Sequence, residues 1–286
     1  MIDLHVHSTF SDGTCTPAEL IALAQNVGVS VLALCDHNTV SGLPEFLKAA
    51  QGSGVEAVPG VEFSTEYEGT ELHILGLFIP TEHYAAVTNR LNDMLKQKER
   101  SNRELVQALC EAGLKMDYDS IRAANPNGVV NRAVIGAEML RLGYVSSVKE
   151  AFSRWLGEKH GFYRPARRPD SLEIIRFIRS IGGVSVLAHP FLDLDEPSLR
   201  NFLNYAVEAG LDGMETCYAG FDSETTELAR KIAGEYGLLE SGGSDFHGAN
   251  KPDIRIGTGK GTLRVPVDFF ALLRERSKHW QGKTNF

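Results

Sequence analysis

Residues 2–7 read Ile2-Asp3-Leu4-His5-Val6-His7, a short apolar alternation carrying two histidines spaced two apart. Ile2–Val6 has the length and composition of a β-strand, and its period of two sends His5 and His7 out of one face. Downstream text turns this strand into the first unit of a repeating plan. Thr16-Pro17-Ala18-Glu19 is a capping box with proline at the first helical position, and the helix it opens ends near Gly28. Val31–Cys35 is a second strand, followed by an amphipathic stretch from Ser41 to Ala50, and Val55–Val58 and Leu72–Ile79 are further strands. Asp170-Ser171-Leu172-Glu173 caps a helix that stops at Gly182-Gly183, ahead of the strand Val184–Ala188. Gly213–Cys217, the helix Ser223–Tyr236 and Leu238–Ser241 continue the alternation. Strands separated by helices of this length predict an α/β fold of βα units around a parallel sheet.

Composition bounds the rest. The chain has 286 residues, 43% of them hydrophobic, with 29 Lys and Arg against 37 Asp and Glu for a net charge of −8. That excludes a disordered or collagen-like chain and allows one large domain with an insert. No apolar run approaches the roughly 18 residues of a membrane span, and Met1–His5 lacks the basic and apolar segments of a secretion signal. Cys15, Cys35, Cys110 and Cys217 have no CxxC spacing, so free thiols in a reducing, cytoplasmic setting are expected. Charge is uneven. Residues 84–168 hold 15 Lys and Arg against 9 Asp and Glu, whereas the remainder holds 14 against 28. Strand signals vanish over the same stretch, and helical periodicity replaces them in Val87–Ala112, Asn131–Leu142 and Val148–Leu156. The expected organisation is a scaffold of residues 1–83 and 169–286 with a small basic helical insert at 84–168.

The histidines fall where βα architectures place chemistry. Asp36-His37 follows the second strand, Glu62 closes Val58-Pro59-Gly60-Val61, His189 follows Val186-Leu187-Ala188, and Asp245-Phe246-His247 follows a Gly-rich turn. Asp12 lies in the loop after His7, while His73 begins a strand instead of ending one. Loops at the carboxyl ends of strands build the active sites of such folds. Six of the nine histidines thus gather beside three carboxylates, and burying them without partners would cost several kcal/mol. Divalent cations relieve that cost, because imidazole nitrogens and carboxylate oxygens are their ligands. The set is too large for one tetrahedral ion and implies two or three, with Mn, Fe and Zn all compatible with the donors.

Six segments, Asp3-Leu4-His5-Val6-His7-Ser8, Ser11-Asp12-Gly13, Cys35-Asp36-His37, Gly60-Val61-Glu62, Ala188-His189-Pro190 and Gly243-Ser244-Asp245-Phe246-His247, together resemble the PHP (polymerase and histidinol phosphatase) family from residue 2 to about 257. The resemblance implies a distorted (βα)7 barrel holding a trinuclear metal site. It implies His5, His7, Glu62 and Asp245 on one metal, with Glu62 bridging to a second held also by His73 and His189. Asp12, His37 and His247 then surround the third and are the candidate catalytic residues, one of them protonating the leaving group. Some relatives have His where Asp12 stands, and the Asp form resembles the branch that hydrolyses phosphate esters of nucleotides. Adjacent divalent cations would make hydroxide available at neutral pH for attack on phosphorus.

Within the insert, Glu99, Arg100 and Asn102, then Asn131 and Arg132, then Lys159, resemble the substrate-binding segment of family members acting on nucleoside 3′,5′-bisphosphates and short RNA 5′ ends. Many of those have His two residues after the matching Arg, where this chain has Val134. An apolar helix face (Val134, Ile135, Met139) is expected to bury the Arg132 stem, Phe152 and Trp155 are read as insert core, and Tyr163 is left between packing and base stacking. The expected activity is removal of the 3′-phosphate from a nucleoside 3′,5′-bisphosphate, or trimming of short oligonucleotides from the 5′ end. A cyclic phosphodiesterase acting on a phosphoribosyl cyclic phosphate, a histidinol-phosphate-type phosphatase and a non-catalytic accessory PHP module are the rivals. The partner implied is a small phosphorylated substrate, with no membrane and no stable nucleic-acid complex. Three divalent cations would offset six of the eight net negative charges, so an acidic chain remains compatible with an anionic ligand.

Overall fold

The structure, a computed structural model, describes residues 1–125, 130–164 and 168–284. Seven strands form one sheet in sequence order: β1 Ile2–Val6, β2 Val31–Leu34, β3 Glu56–Tyr67, β4 Thr70–Leu77, β5 Val184–Leu187, β6 Gly213–Tyr218 and β7 Leu239–Gly243. The helices are α1 Pro17–Val27, α2 Leu43–Ala50, α3 Tyr84–Glu111, α4 Tyr118–Ala123, α5 Arg132–Arg141, α6 Val148–Ala151, α7 Ser171–Ser180, α8 Glu196–Ala209, α9 Ser223–Glu235 and α10 Val267–Thr284. The chain divides into two compact units, Met1–Thr88 with Arg168–Phe286, and Asn89–Arg167.

In the larger unit the sheet curls into a nearly closed barrel. The chain just beyond β7 meets β1: Asp245 N–H donates to the His5 carbonyl at 2.8 Å, and His7 N–H donates to the Phe246 carbonyl at 2.9 Å. Residues of β1, β2 and β5 are buried throughout, as expected for strands covered on both faces. Their apolar side chains join Val58, Leu75 and Leu77 and four large residues of α10, Phe269, Phe270, Leu273 and Trp280, in one cluster. Local signals behave as their chemistry requires. Thr16 and Glu19 close the capping box reciprocally, and Gly28 ends α1 at φ 78°, a left-handed conformation that glycine adopts without strain.

Three sequence expectations are corrected. The sheet is not wholly parallel, because β4 runs antiparallel to both β3 and β5. The strand read as Val55–Val58 extends instead from Glu56 to Tyr67, since a tight turn at Glu68-Gly69 folds it directly back onto β4. Helices α8 and α10 were not anticipated, and α10 completes the core cluster. Cys15, Cys35, Cys110 and Cys217 are all free thiols. Among the described residues, no helix is long and apolar enough to cross a membrane.

The smaller unit has its own core of Leu105, Leu109, Ile121, Ile135, Met139 and Leu156 with neighbouring apolar residues. Phe152, Trp155 and Tyr163 pack against it. Residues 99–103 lie in the middle of the 28-residue α3, within the expected Val87–Ala112 helix. The expected Val148–Leu156 helix is one turn of α-helix followed by a π-helical turn, Phe152–Leu156.

Candidate metal centre

The centre of the site is Glu62. Five imidazoles surround its fully buried carboxylate: His73 Nδ1 at 2.8 Å and His189 Nε2 at 3.1 Å from Oε1, then His37 Nδ1 at 3.1 Å, His7 Nε2 at 3.2 Å and His5 Nε2 at 3.3 Å from Oε2. β1 delivers His5 and the chain beyond it His7; β2 leads into His37 and β5 into His189. His73 arrives differently. It lies within β4, opposite Ser64 in the register, and because β4 is antiparallel its early residues lie at the carboxyl-terminal ends of the parallel strands. That reversal explains how a histidine near a strand start reaches this site.

Asp245 and Asp12 extend the cluster on the other side of His7. Asp245 Oδ1 is 3.3 Å from His7 Nε2 and 3.8 Å from His5 Nε2. Asp12 Oδ1 is 3.2 Å from His247 Nε2 and 3.7 Å from His7 Nδ1, and its Oδ2 is 3.8 Å from His37 Nε2. Three groups of donors result, each with atoms close enough to share an ion: His5, His7 and Asp245; His37, Glu62 and His73; and His7, Asp12, His37 and His247. His7 and His37 each belong to two groups through different ring nitrogens. All nine sequence-predicted ligands therefore lie together, and a neutral imidazole, with one lone pair, leaves His7 and His37 each to serve one of its two groups.

Hydrogen bonding tests whether these residues suit cations. Glu62 Oε2 has three imidazole nitrogens within 3.3 Å yet no hydrogen bond, and Nδ1 of His7, His37, His73 and His189 is likewise buried without one. Each buried polar atom left in this condition costs about 1–3 kcal/mol. Donors turned towards one another, such as His5 Nε2 and His7 Nε2 at 3.1 Å, are what a shared cation requires. The residues present fit divalent metal ions. Burial lowers the affinity of His73 for protons, but the Glu62 carboxylate overrides it and raises the pKa to about 10. Burial outweighs Glu62 at His37 and lowers it to about 4. Burial works against ionisation of Glu62, yet His37, His73 and His5 hold its carboxyl well below the usual range. The cluster attracts positive charge, as protons or as metal.

Several further residues hold the donors, and they were not singled out from the sequence. Glu215, fully buried in β6, lies 3.1 Å from His5 Nδ1 and accepts the His189 backbone N–H at 2.7 Å. With Nδ1 of neutral His5 donating to Glu215, Nε2 is left as the lone pair facing the cluster. Likewise His247 Nδ1 donates to the Asp245 carbonyl at 2.8 Å, leaving Nε2 towards Asp12. Asp36 accepts from Ser8 N–H, Ser8 Oγ and Ser11 Oγ, which shapes the loop carrying Asp12. Tyr218 OH and Lys251 Nζ donate to Asp245 Oδ2 at 2.9 and 2.6 Å. The detectable signal for Glu215 was a lone acid within a short buried strand.

The backbone is strained where these side chains are presented. Asn38, His189 and Asp245, each just beyond a parallel strand, take φ of 52°, 26° and 55°. Such conformations cost about 1–3 kcal/mol apiece and concentrate at functional sites. Gly243 supplies clearance, because a Cβ there would stand 2.4 Å from His5 Cβ. A cleft of about 270 Å³ opens beside the donors, lined by His37, Glu62, Glu71, His73, His189, Leu192, Asp193, Asp245 and Lys251.

The basic-insert residues sit in different surroundings. Arg100 pairs with Glu104 at 3.0 Å, and Glu99 pairs with Arg103 at 3.1 Å. Asn102 is buried and donates to the Val130 carbonyl at 2.8 Å, while Asn131 caps α5 by accepting from Val134 N–H. Arg132 lies over the Tyr163 ring at 4.1 Å, with Phe152 at 5.8 Å, so aromatic faces cradle its guanidinium. It donates to the Leu156 carbonyl at 3.3 Å, with Glu158 at 3.8 Å. Lys159 is exposed.

Comparison with known proteins agrees with this geometry. The PHP domain family matches residues 3–158. A 5′-3′ exoribonuclease of Haemophilus influenzae is 36% identical over 246 residues, covering 86% of this chain and 89% of the relative. A phosphoribosyl 1,2-cyclic phosphate 1,2-diphosphodiesterase of Eggerthella lenta is 30% identical, covering 86% and 94%. A 3′,5′-nucleoside bisphosphate phosphatase of Chromobacterium violaceum is 28% identical, covering 90% of each. Among solved structures, a Bifidobacterium adolescentis protein described as a metal-dependent phosphoesterase superposes with a TM-score of 0.75 at 27% identity, covering 96% of this chain and 95% of that one. A family match over more than half the chain, and relatives of this identity and coverage, show that the chain belongs to the PHP family.

Proposed function

We propose that the chain is a metal-dependent phosphoesterase that hydrolyses the 3′-phosphate ester of a nucleotide carrying a 5′-phosphate, as a nucleoside 3′,5′-bisphosphate or at the 5′ end of a short RNA. The observation that carries this reading is the Glu62 carboxylate, with His73 and His189 against Oε1 and His5, His7 and His37 against Oε2. A carboxylate with donors against each of its oxygens would keep bound cations adjacent, which suits the several oxygens of one phosphate. Bound there, two or three Mn, Fe or Zn ions would polarise the phosphoryl group and lower the pKa of water. The Haemophilus and Chromobacterium relatives support nucleotide and RNA esters as substrates.

The chain's own residues do the rest. Glu215 and the Asp245 carbonyl fix the tautomers of His5 and His247, so their donor atoms are aimed before substrate arrives. Asp12, with its side chain 54% exposed, is the most open of the ligands and stands beside His247 and His37. We assign the proton for the leaving oxygen to this Asp12–His37–His247 corner. In the insert, Arg132 is held flat by Tyr163 and Phe152 and is assigned to an anionic group of the substrate, with Arg100 and Lys159 supplying weaker attraction.

The Eggerthella relative favours a second reading, cyclic phosphodiester hydrolysis on the same donor set. Adenosine 3′,5′-bisphosphate, read by released phosphate, and a 5′-phosphorylated dinucleotide and a phosphoribosyl cyclic phosphate, both read by chromatography of the cleaved products, separate the two. The account expects turnover of the first two with Mn²⁺ and its loss in His189→Ala. A folded, metal-loaded sample that cleaves none of the three would overturn it.

A further inference from the structure

We propose that Lys251 is a substrate-binding residue whose ammonium group contacts a nonbridging phosphate oxygen in the cleft beside Glu62. The inference deepens the phosphoesterase reading and rests on it. Among the described residues lining the cleft, Lys251 is the sole Lys or Arg, while Glu62, Glu71, Asp193 and Asp245 contribute four carboxyl groups. A phosphate dianion entering a site of that sign needs cationic partners, and an ammonium is a compact one.

Hydrogen-bond accounting frees this lysine for the role. Its Nζ lies 2.6 Å from Asp245 Oδ2, and that same oxygen already accepts from Tyr218 OH at 2.9 Å. Asp245 Oδ2 therefore has a partner without Lys251. An ammonium carries three donors, of which this contact uses one, and the side chain is 39% exposed on the cleft side of the carboxylate. The backbone that carries it is fixed. In the turn Gly248–Asn250, Ala249 N–H donates to Thr14 Oγ1 at 2.8 Å and Asn250 Nδ2 donates to the Asp12 carbonyl at 2.7 Å. Lys251 N–H closes the turn on the Gly248 carbonyl at 3.2 Å. The same contacts thus position Lys251 and the loop bearing Asp12, which places the ammonium next to the donors and not adrift in solvent.

The test uses Mn²⁺-loaded wild type, Lys251→Met and Lys251→Arg, with three readouts: Mn per chain, calorimetric affinity for inorganic phosphate, and kcat and KM on adenosine 3′,5′-bisphosphate. Lys251→Met is expected to keep the wild-type metal content while weakening phosphate binding about tenfold or more, the loss typical of a charge-assisted contact. KM should rise by a similar factor, and Lys251→Arg should recover most of both. Unchanged phosphate affinity in Lys251→Met overturns the assignment. So does a loss of Mn from that variant, since Lys251 would then act by positioning Asp245. The phosphoesterase reading fails separately: a wild type that hydrolyses none of the three esters contradicts that reading, even if it binds phosphate through Lys251.

Discussion

The barrel site and the insert both concentrate charge, yet they handle it in opposite ways. Around Glu62, buried nitrogens and oxygens crowd together, and Glu62 Oε2 and Nδ1 of His7, His37, His73 and His189 stay without hydrogen bonds. On α3, Arg100 and Arg103 each meet an acid four residues away on a solvent-facing side. The first arrangement is costly and makes sense only with something to bind; the second is what helical charges do at equilibrium, worth a few tenths of a kcal/mol per pair. Unpaired burial, more than charge itself, separates a site from a surface. Arg132 lies between the two cases, half-buried against aromatic rings with a weak carbonyl contact.

This contrast can be broken by substitution. Glu62→Gln, at the centre of five imidazoles, should reduce kcat by about 10³-fold or more on a phosphate ester, because the cluster loses the buried negative charge that faces those donors. A variant with near wild-type kcat would dismantle the site. Removing metal by chelation should lower the melting temperature by roughly 5–10 °C, on the basis of about 2.7 kcal/mol for a site held at a hundred times its Kd. The metal-free chain should also weaken as pH rises. His73, raised from 6.5 to about 10, stabilises the fold fully below pH 6.5 and loses that contribution as pH climbs towards 10. His37, lowered to about 4, is already neutral over that window. Thermal melts at pH 7 and pH 9.5 should therefore differ for the stripped protein, and equal melting temperatures would contradict the account.

Smaller effects sharpen the comparison. Glu215→Gln retains the shape but weakens the hold on His5, and should cost 10–100-fold in metal affinity or activity, roughly as other partners of metal ligands do. Arg132→Ala should raise KM about tenfold with kcat nearly unchanged, and Arg100→Ala should shift neither stability nor KM beyond about 0.5 kcal/mol. Steady-state kinetics on the pair checks this. Equal effects would erase the distinction between the cradled arginine and the helix-paired one.

Much of the fold was readable from periodic strands and capped helices, because Thr16-Pro17-Ala18-Glu19 and Asp170 carry their structural instructions locally. The ligand set was readable for a related reason: parallel strands deliver His37, His189 and Asp245 at one end of the sheet. What was not readable depended on tertiary closure. The hairpin that reverses β4 and brings His73 to the cluster is set by pairing with β3, which no single segment reveals. Glu215 and Asp36 declare themselves only through the side chains they hold, and Lys251 only through a turn docked on residues more than 230 positions earlier. In the insert, Phe152 and Trp155 do pack as core, and the Arg132 guanidinium lies over the Tyr163 ring, a contact no local pattern announces.

The central claim is that the Glu62 cluster holds adjacent divalent cations. Elemental analysis of wild type and Glu62→Gln, each reconstituted with Mn²⁺ and desalted, tests it most directly. Two or three ions per wild-type chain, falling to one or none in the variant, is the predicted result. Less than one ion per wild-type chain, or equal content in both proteins, would contradict it.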